Sequence, residues 1–186
     1  MNKYKIYLCD LTHDGLVLSS SIFPLSIGLI SAYLKKKRGL DINVELFKYP
    51  SDFSKVFNKS PAKVVGFANY SWNFALSRAF AKQIKLLWPE TIIIFGGPNY
   101  GLTDEETDIF WKKNSDIIDF NIVKEGEQAF VDLYDLLVEN DFDAISLKQK
   151  QIPIGNVHYS LNDKVIKGED IPRINIDALQ SPYVRG

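Results

Sequence analysis

Glycine, serine and asparagine gather in segments of this chain that each follow a short apolar run: Asp10 to Phe23, Phe47 to Ser51, Ala68 to Trp72, Gly96 to Gly101 and Lys124 to Glu127. In an open α/β sheet, ligands bind beyond the carboxyl ends of the strands, so these five segments read as one surface. Gly15, Gly96, Gly97 and Gly126 let a ligand approach the backbone, while Ser19, Ser20, Ser21, Asn69, Ser71 and Asn99 offer hydrogen bonds. Such a rim suits a large, polar, mostly uncharged ligand.

Several familiar chemistries do not fit these residues. Gly96-Gly97-Pro98 lacks the spacing of a dinucleotide fingerprint, and no G-K-[ST] occurs, which excludes a phosphate-cradling NTPase loop. The two histidines, His13 and His158, stand on the first loop and near the far end of the chain, and no serine sits in a G-x-S-x-G elbow. Cys9, the single cysteine, closes a strand and reads as a small buried hydrophobe. On its own it cannot make an internal disulfide or a multi-thiolate cluster. The 22 Lys and Arg against 23 Asp and Glu give no field to gather nucleic acid or an anionic membrane. No apolar run approaches the roughly 18 residues of a spanning helix, so neither a signal peptide nor an anchor is expected, and the location expected is the cytoplasm.

The elements that must position these loops follow from periodicity. Strands are predicted at Tyr4–Cys9, Ile42–Phe47, Val64–Phe67, Ile92–Phe95 and Ile117–Val123. Helices are predicted from Pro24 to Arg38, briefly at Ser51–Phe57, from Trp72 to Leu87, at Asp104–Lys112 behind a Thr103 cap, and through Ala129, Phe130, Leu133 and Leu137. Right-handed crossovers then give a doubly wound, Rossmann-like or flavodoxin-like five-stranded parallel sheet over residues 1–142. Residues 143–186 read as a β-hairpin turning at Asn162-Asp163, followed by an extended arm with too little apolar material for a core of its own.

Four motifs in order carry a resemblance: Pro24-Leu25-Ser26-Ile27-Gly28-Leu29-Ile30-Ser31-Ala32-Tyr33-Leu34, Gly66-Phe67-Ala68-Asn69-Tyr70-Ser71-Trp72-Asn73, Gly96-Gly97-Pro98, and Glu125-Gly126-Glu127-Gln128-Ala129-Phe130. Together they resemble the N-terminal cobalamin-binding domain of B12-dependent radical SAM enzymes, and the stretch ending Ser181-Pro182-Tyr183 is similar to the linker into the radical SAM barrel. The resemblance implies a domain that holds cobalamin with its nucleotide tail beside the sheet and its corrin ring over the strand ends. It implies cofactor contacts at Thr12, His13, Ser20, Ser21, Ala68, Asn69, Tyr70, Ser71, Trp72, Gly96, Gly97, Pro98, Glu125, Gly126 and Glu127. The family usually has serine where this chain has Ala68, and glycine where it has Lys124.

Asp10-Leu11-Thr12-His13-Asp14-Gly15 contains the residues of the D-x-H-x-x-G motif that replaces the lower cobalt ligand in other cobalamin proteins, but at the wrong spacing. His13 is therefore not assigned as a cobalt ligand, and the resemblance implies a loop side chain or water under the metal. The family's C-x-x-x-C-x-x-C motif is missing, so this chain is expected to be one part of a larger enzyme and not catalytic alone. In that parent enzyme, a methyltransferase or a catalyst of radical rearrangement, a C-terminal radical SAM domain would hold the [4Fe-4S] cluster and S-adenosylmethionine.

Two other readings compete. A receiver-type signalling module would use Asp10 and Lys124, yet it needs a carboxylate at the end of the third strand, where Asn69 cannot form an acyl phosphate. A flavodoxin-like flavin-binding module could stack its ring on Tyr70 and Trp72, but Ser19-Ser20-Ser21 is a poor phosphate loop. Both rings also suit packing on the helix that follows.

Overall fold

A computed structural model describes residues 4–13, 23–40, 42–101 and 103–183. Strand β1 (Lys5–Cys9) leads to helix α1 (Leu25–Arg38), whose last turn holds four cations and stops at Gly39, φ 100°. Next come β2 (Asn43–Phe47) and α2 (Pro50–Lys59), longer at both ends than its weak apolar pattern predicts; Pro50 presets its first turn. Strand β3 (Val64–Ala68), helix α3 (Phe74–Leu87) and strand β4 (Ile92–Gly96) follow. Helix α4 (Asp104–Asn114) opens on a capping box in which Thr103 Oγ1 accepts the Glu106 N–H at 3.2 Å and Glu106 Oε2 accepts the Thr103 N–H at 3.1 Å. Strand β5 (Phe120–Ile122), helices α5 (Glu127–Glu139) and α6 (Ala144–Gln149), and strands β6 (Val157–Leu161) and β7 (Lys164–Lys167) complete the chain, apart from a single 3₁₀ turn at Ile176–Ala178.

Among the described residues the fold is α/β, with six helices on a mostly parallel, open seven-stranded sheet ordered β2-β1-β3-β4-β5-β6-β7. The sheet therefore has seven strands where five are expected, because the expected hairpin joins it. Strand β6 pairs antiparallel with β5 through Asn121↔His158 and Ile122↔Val157, so the hairpin extends the same sheet. The physical reason is burial: Phe142, Leu147, Ile154, Val157 and Tyr159 all enter the hydrophobic core.

Side chains alternate across the sheet as the pleat requires. Tyr7, Phe67 and Phe95 point to one face, where they meet Phe53 of α2 and Phe74 of α3 edge-on. Leu8, Gly66 and Ile94 share one register row on the other face, under α1 and α5. Helices α1 and α5 pack on each other, and Tyr33 Oη donates to Gln128 Oε1 at 2.8 Å. Below the sheet, the buried carboxylate of Asp119 is satisfied by the Ile93 N–H, Lys85 and Lys148. No helix among the described residues is long and apolar enough to cross a membrane.

Candidate functional site

The register row opens into a cavity of about 510 Å³, within the ~300–1,000 Å³ range of small-molecule sites. Its floor is Leu8, Gly66 and Ile94, its walls include Ile27 and Ile30 of α1 and Phe130 of α5, and its mouth lies at the carboxyl ends of the strands. Gly66 makes the notch in that floor. A Cβ there would stand 2.7 Å from Leu8 Cδ2, and any larger side chain would occupy the space beneath the helices.

The mouth is built from three loops. After β4, Gly97 takes φ +142°, and a Cβ on it would lie 2.5 Å from the carbonyl oxygen of Asn69 and 3.0 Å from its nitrogen. Only glycine permits this backbone-on-backbone approach. Asn69 and Asn99 lace the same two loops together: Asn69 Nδ2 donates to the Asn99 carbonyl at 2.9 Å, and Asn99 Nδ2 donates to Asn69 Oδ1 at 3.1 Å. After β5, Lys124 adopts φ +57°, a left-handed conformation that glycine takes freely, and a Cβ on Gly126 would sit 3.2 Å from Ile30 Cδ1. Arg173 and Asp170 of the terminal segment pair with Glu125 and Lys124 at this rim. On the other side Pro182 rests on α1 over Gly28, where a Cβ would meet it at 3.1 Å, and Tyr183 packs on Phe23.

The electrostatics of the site are mild. Tyr100 lines the cavity with its hydroxyl held between Trp111 Nε1 at 2.8 Å and His158 Nδ1 at 3.0 Å. Burial pushes that phenol up to about 12, against the lowering effect of the Trp111 bond. Burial likewise raises Asp10, partly offset by Lys48, while Asn73 Nδ2 donates to its carboxylate at 3.2 Å. Cys9 is fully buried and its thiol is raised well above the ordinary range by burial, then by Asp10, which leaves it unreactive. Among the described residues no group of three or more His, Cys, Asp or Glu could hold a metal ion.

No family model and no curated protein sequence matches this chain.

Of the residues singled out from the sequence, Ala68, Tyr70, Gly96, Gly97, Pro98, Glu125, Gly126 and Glu127 meet at the cavity. Asn69 is wholly buried and shapes the mouth from behind. Thr12, His13, Ser71 and Trp72 lie outside the lining, and Ser20 and Ser21 fall outside the described residues. His13 Nε2 is 3.3 Å from the Trp72 carbonyl oxygen, so that nitrogen carries a proton and donates. Trp72 does not pack on α3 as its helical spacing suggests. It sits in the turn before the helix, 63% exposed, and stacks on Tyr70 at 4.4 Å with an interplanar angle of 7°. The turn is fixed by Asn73, whose Oδ1 accepts the Tyr70 N–H at 2.9 Å.

Sequence reasoning missed the floor and walls: Leu8, Ser26, Ile27, Ile30, Gly66, Ile94 and Phe130. One signal was available for Gly66, since a glycine inside an otherwise β-branched strand marks a close approach to its face. Ser26 is the polar exception in this wall. Its Oγ is shielded from solvent and has no hydrogen-bond partner, a condition that costs about 1–3 kcal/mol in a folded protein.

Proposed function

We propose that this chain is the cobalamin-binding domain of a B12-dependent radical SAM enzyme, and that its task is to hold the corrinoid for chemistry completed by another domain. The observation that carries this reading is the narrow apolar cavity over the Leu8–Gly66–Ile94 row, open at the carboxyl ends of the strands. A flat heteroaromatic tail suits such a slot, and a wide ring suits the polar loops around its mouth. The residues present fit the group on three counts. Gly66 and Gly97 stand where a side chain would collide or fill the space. The volume suits a nucleotide tail and is too small for the macrocycle, which would rest outside. Lys124, where the resemblance expects glycine, has the left-handed backbone that glycine favours.

In this reading Ala68, Gly96, Gly97 and Gly126 border the tail, and Tyr70, Pro98, Glu125 and Glu127 stand nearer the ring. When bound, cobalamin supplies a cobalt centre able to make and break bonds to carbon. The residues of this chain bind and orient it and keep water from the buried tail. Methyl transfer or radical rearrangement, with a [4Fe-4S] cluster and S-adenosylmethionine on a separate radical SAM domain, is the parent activity we infer. The doubly wound character of the five parallel strands, in the order β2-β1-β3-β4-β5, accords with a ligand at the point where strand order reverses.

The test is retention. The purified chain, incubated with hydroxocobalamin and desalted, should keep a coloured complex near one corrinoid per chain. A folded chain that emerges colourless would overturn the proposal. The stack of exposed Trp72 on Tyr70 favours one rival, a flavin module, and retention of a yellow chromophore after incubation with flavin mononucleotide would decide for it.

A further inference from the structure

The two edges of the sheet are built differently. Strand β7 is short, has Lys164 and Lys167 at its ends, and is tied to α4 where Lys167 Nζ meets Asp104 Oδ1 at 2.6 Å. Short length and edge lysines are how a sheet resists pairing with another chain. Strand β2, at the opposite edge, holds neither lysine nor proline, and among the described residues no strand lies on its outer side. The Asp10 N–H donates to the Phe47 carbonyl at 2.9 Å, so Asn43, Glu45 and Phe47 turn their backbone groups toward β1. By alternation Val44 and Leu46 turn theirs outward. Their side chains lie on the face of α1, because Val44 pairs with Ile6 and Leu46 with Leu8. Leu46 is 41% exposed there.

We propose that β2 is a self-association edge: it pairs antiparallel with β2 of a second copy about a two-fold axis through Val44, joining two sheets into one. Register decides the axis. Centred on Val44, the pairing sets Leu46 against Ile42 of the second copy, Val44 against its counterpart and Asn43 against Glu45. Apolar side chains then meet on one face and an amide meets a carboxylate on the other. Val44 and its counterpart exchange both backbone hydrogen bonds. A centre at Glu45 would oppose two carboxylates, and a centre at Leu46 would set Val44 against Lys48 and Glu45 against Phe47. The contact is isologous and uses up both β2 edges, while the blunted β7 edges offer no second attachment, so assembly closes at two copies. None of these residues lines the cavity.

Sedimentation equilibrium of the full chain over a concentration series tests the assembly, and the expected species is a dimer. Leu46→Lys changes a side chain that is already exposed, so its circular dichroism should stay that of the wild type. Self-association should weaken about a hundredfold, roughly tenfold from each copy. Register is read by disulfide formation under mild oxidation, with Cys9 buried out of reach. Asn43 and Glu45 form a pair without mutual backbone bonds, where side chains of antiparallel strands come closest. Asn43→Cys chains mixed with Glu45→Cys chains should therefore cross-link, and neither variant should cross-link alone. A chain that stays monomeric at every concentration, or a dimer unaffected by Leu46→Lys, would overturn the proposal. Self-linking of Glu45→Cys would overturn the axis at Val44.

Discussion

Tyr100 and His158, 58 positions apart, share a hydrogen bond of 3.0 Å on a phenol that a third residue, Trp111, also holds. The indole of Trp111 can only donate, so the Tyr100 oxygen accepts from it at 2.8 Å. The bond to Nδ1 of His158 ties the loop after β4 to the terminal hairpin.

A pH dependence follows from that pair. Burial, then the nearby Lys167 charge, lowers His158 from 6.5 to about 4, with Asp170 opposing. Above pH 6.5 the ring is neutral in folded and unfolded chains alike and stability is complete. Between 6.5 and about 4 only the unfolded chain takes up the proton, so stability falls as the pH falls. Urea melts across this window should slope for the wild type and flatten for His158→Gln. Parallel slopes would show that the ring is not held neutral.

Lys124 is strained where glycine would be at ease. At φ +57° a lysine backbone carries a penalty of about 1 kcal/mol or more. Its ion pair with Asp170 is exposed on both sides and contributes little. Lys124→Gly should raise stability by about 1 kcal/mol in urea melts, and Asp170→Ala should shift it by less than about 0.5 kcal/mol. A destabilised Lys124→Gly would mean that the loop is held by the lysine side chain.

Two glycines should respond differently to the same small change. At Gly97 an added Cβ meets rigid backbone at 2.5 Å in a conformation that resists any side chain, so Gly97→Ala should cost about 2 kcal/mol or more. At Gly66 the obstacle is the flexible end of Leu8, so Gly66→Ala should cost less than about 1.5 kcal/mol yet weaken corrinoid retention by narrowing the slot. Chemical denaturation paired with the desalting assay distinguishes the two. Unchanged retention in Gly66→Ala would remove the floor from the site.

Trp72 is a surface reporter. Trp111 is 2% exposed and Trp88 is partly buried, so most acrylamide-quenchable emission should vanish in Trp72→Phe, with a change in stability below about 0.5 kcal/mol. His13→Ala, which removes only a donor to the Trp72 carbonyl, should leave the absorption spectrum of a bound corrinoid unaltered. A shifted spectrum would place an imidazole on the metal after all.

The parallel strands and the larger helices were legible because each is a local pattern: the apolar run Ile92–Phe95, the cap at Thr103, the cations before Gly39. The loops of the mouth were legible too, since their glycines and polar residues punctuate those runs. What the pattern hides is pairing at a distance. Nothing near Val157 says that it joins β5, and nothing near Leu8 says that Gly66 and Ile94 stand beside it, because register arises only when strands meet. Trp72 misled for the opposite reason: it has helical spacing, but the Asn73 turn removes it from the helix. Short α6 carries too few residues to show a period.

Strand β5 contributes three residues, and on its outer side it would be bare backbone without the hairpin laid along it. Trimming the chain back to Asn140 would leave an unprotected ladder beside the stranded ring of Phe120, which stacks edge-on with Tyr159. Such a fragment would be sticky and prone to pair with its own copies, so the smallest well-behaved unit carrying this cavity runs at least through Lys167.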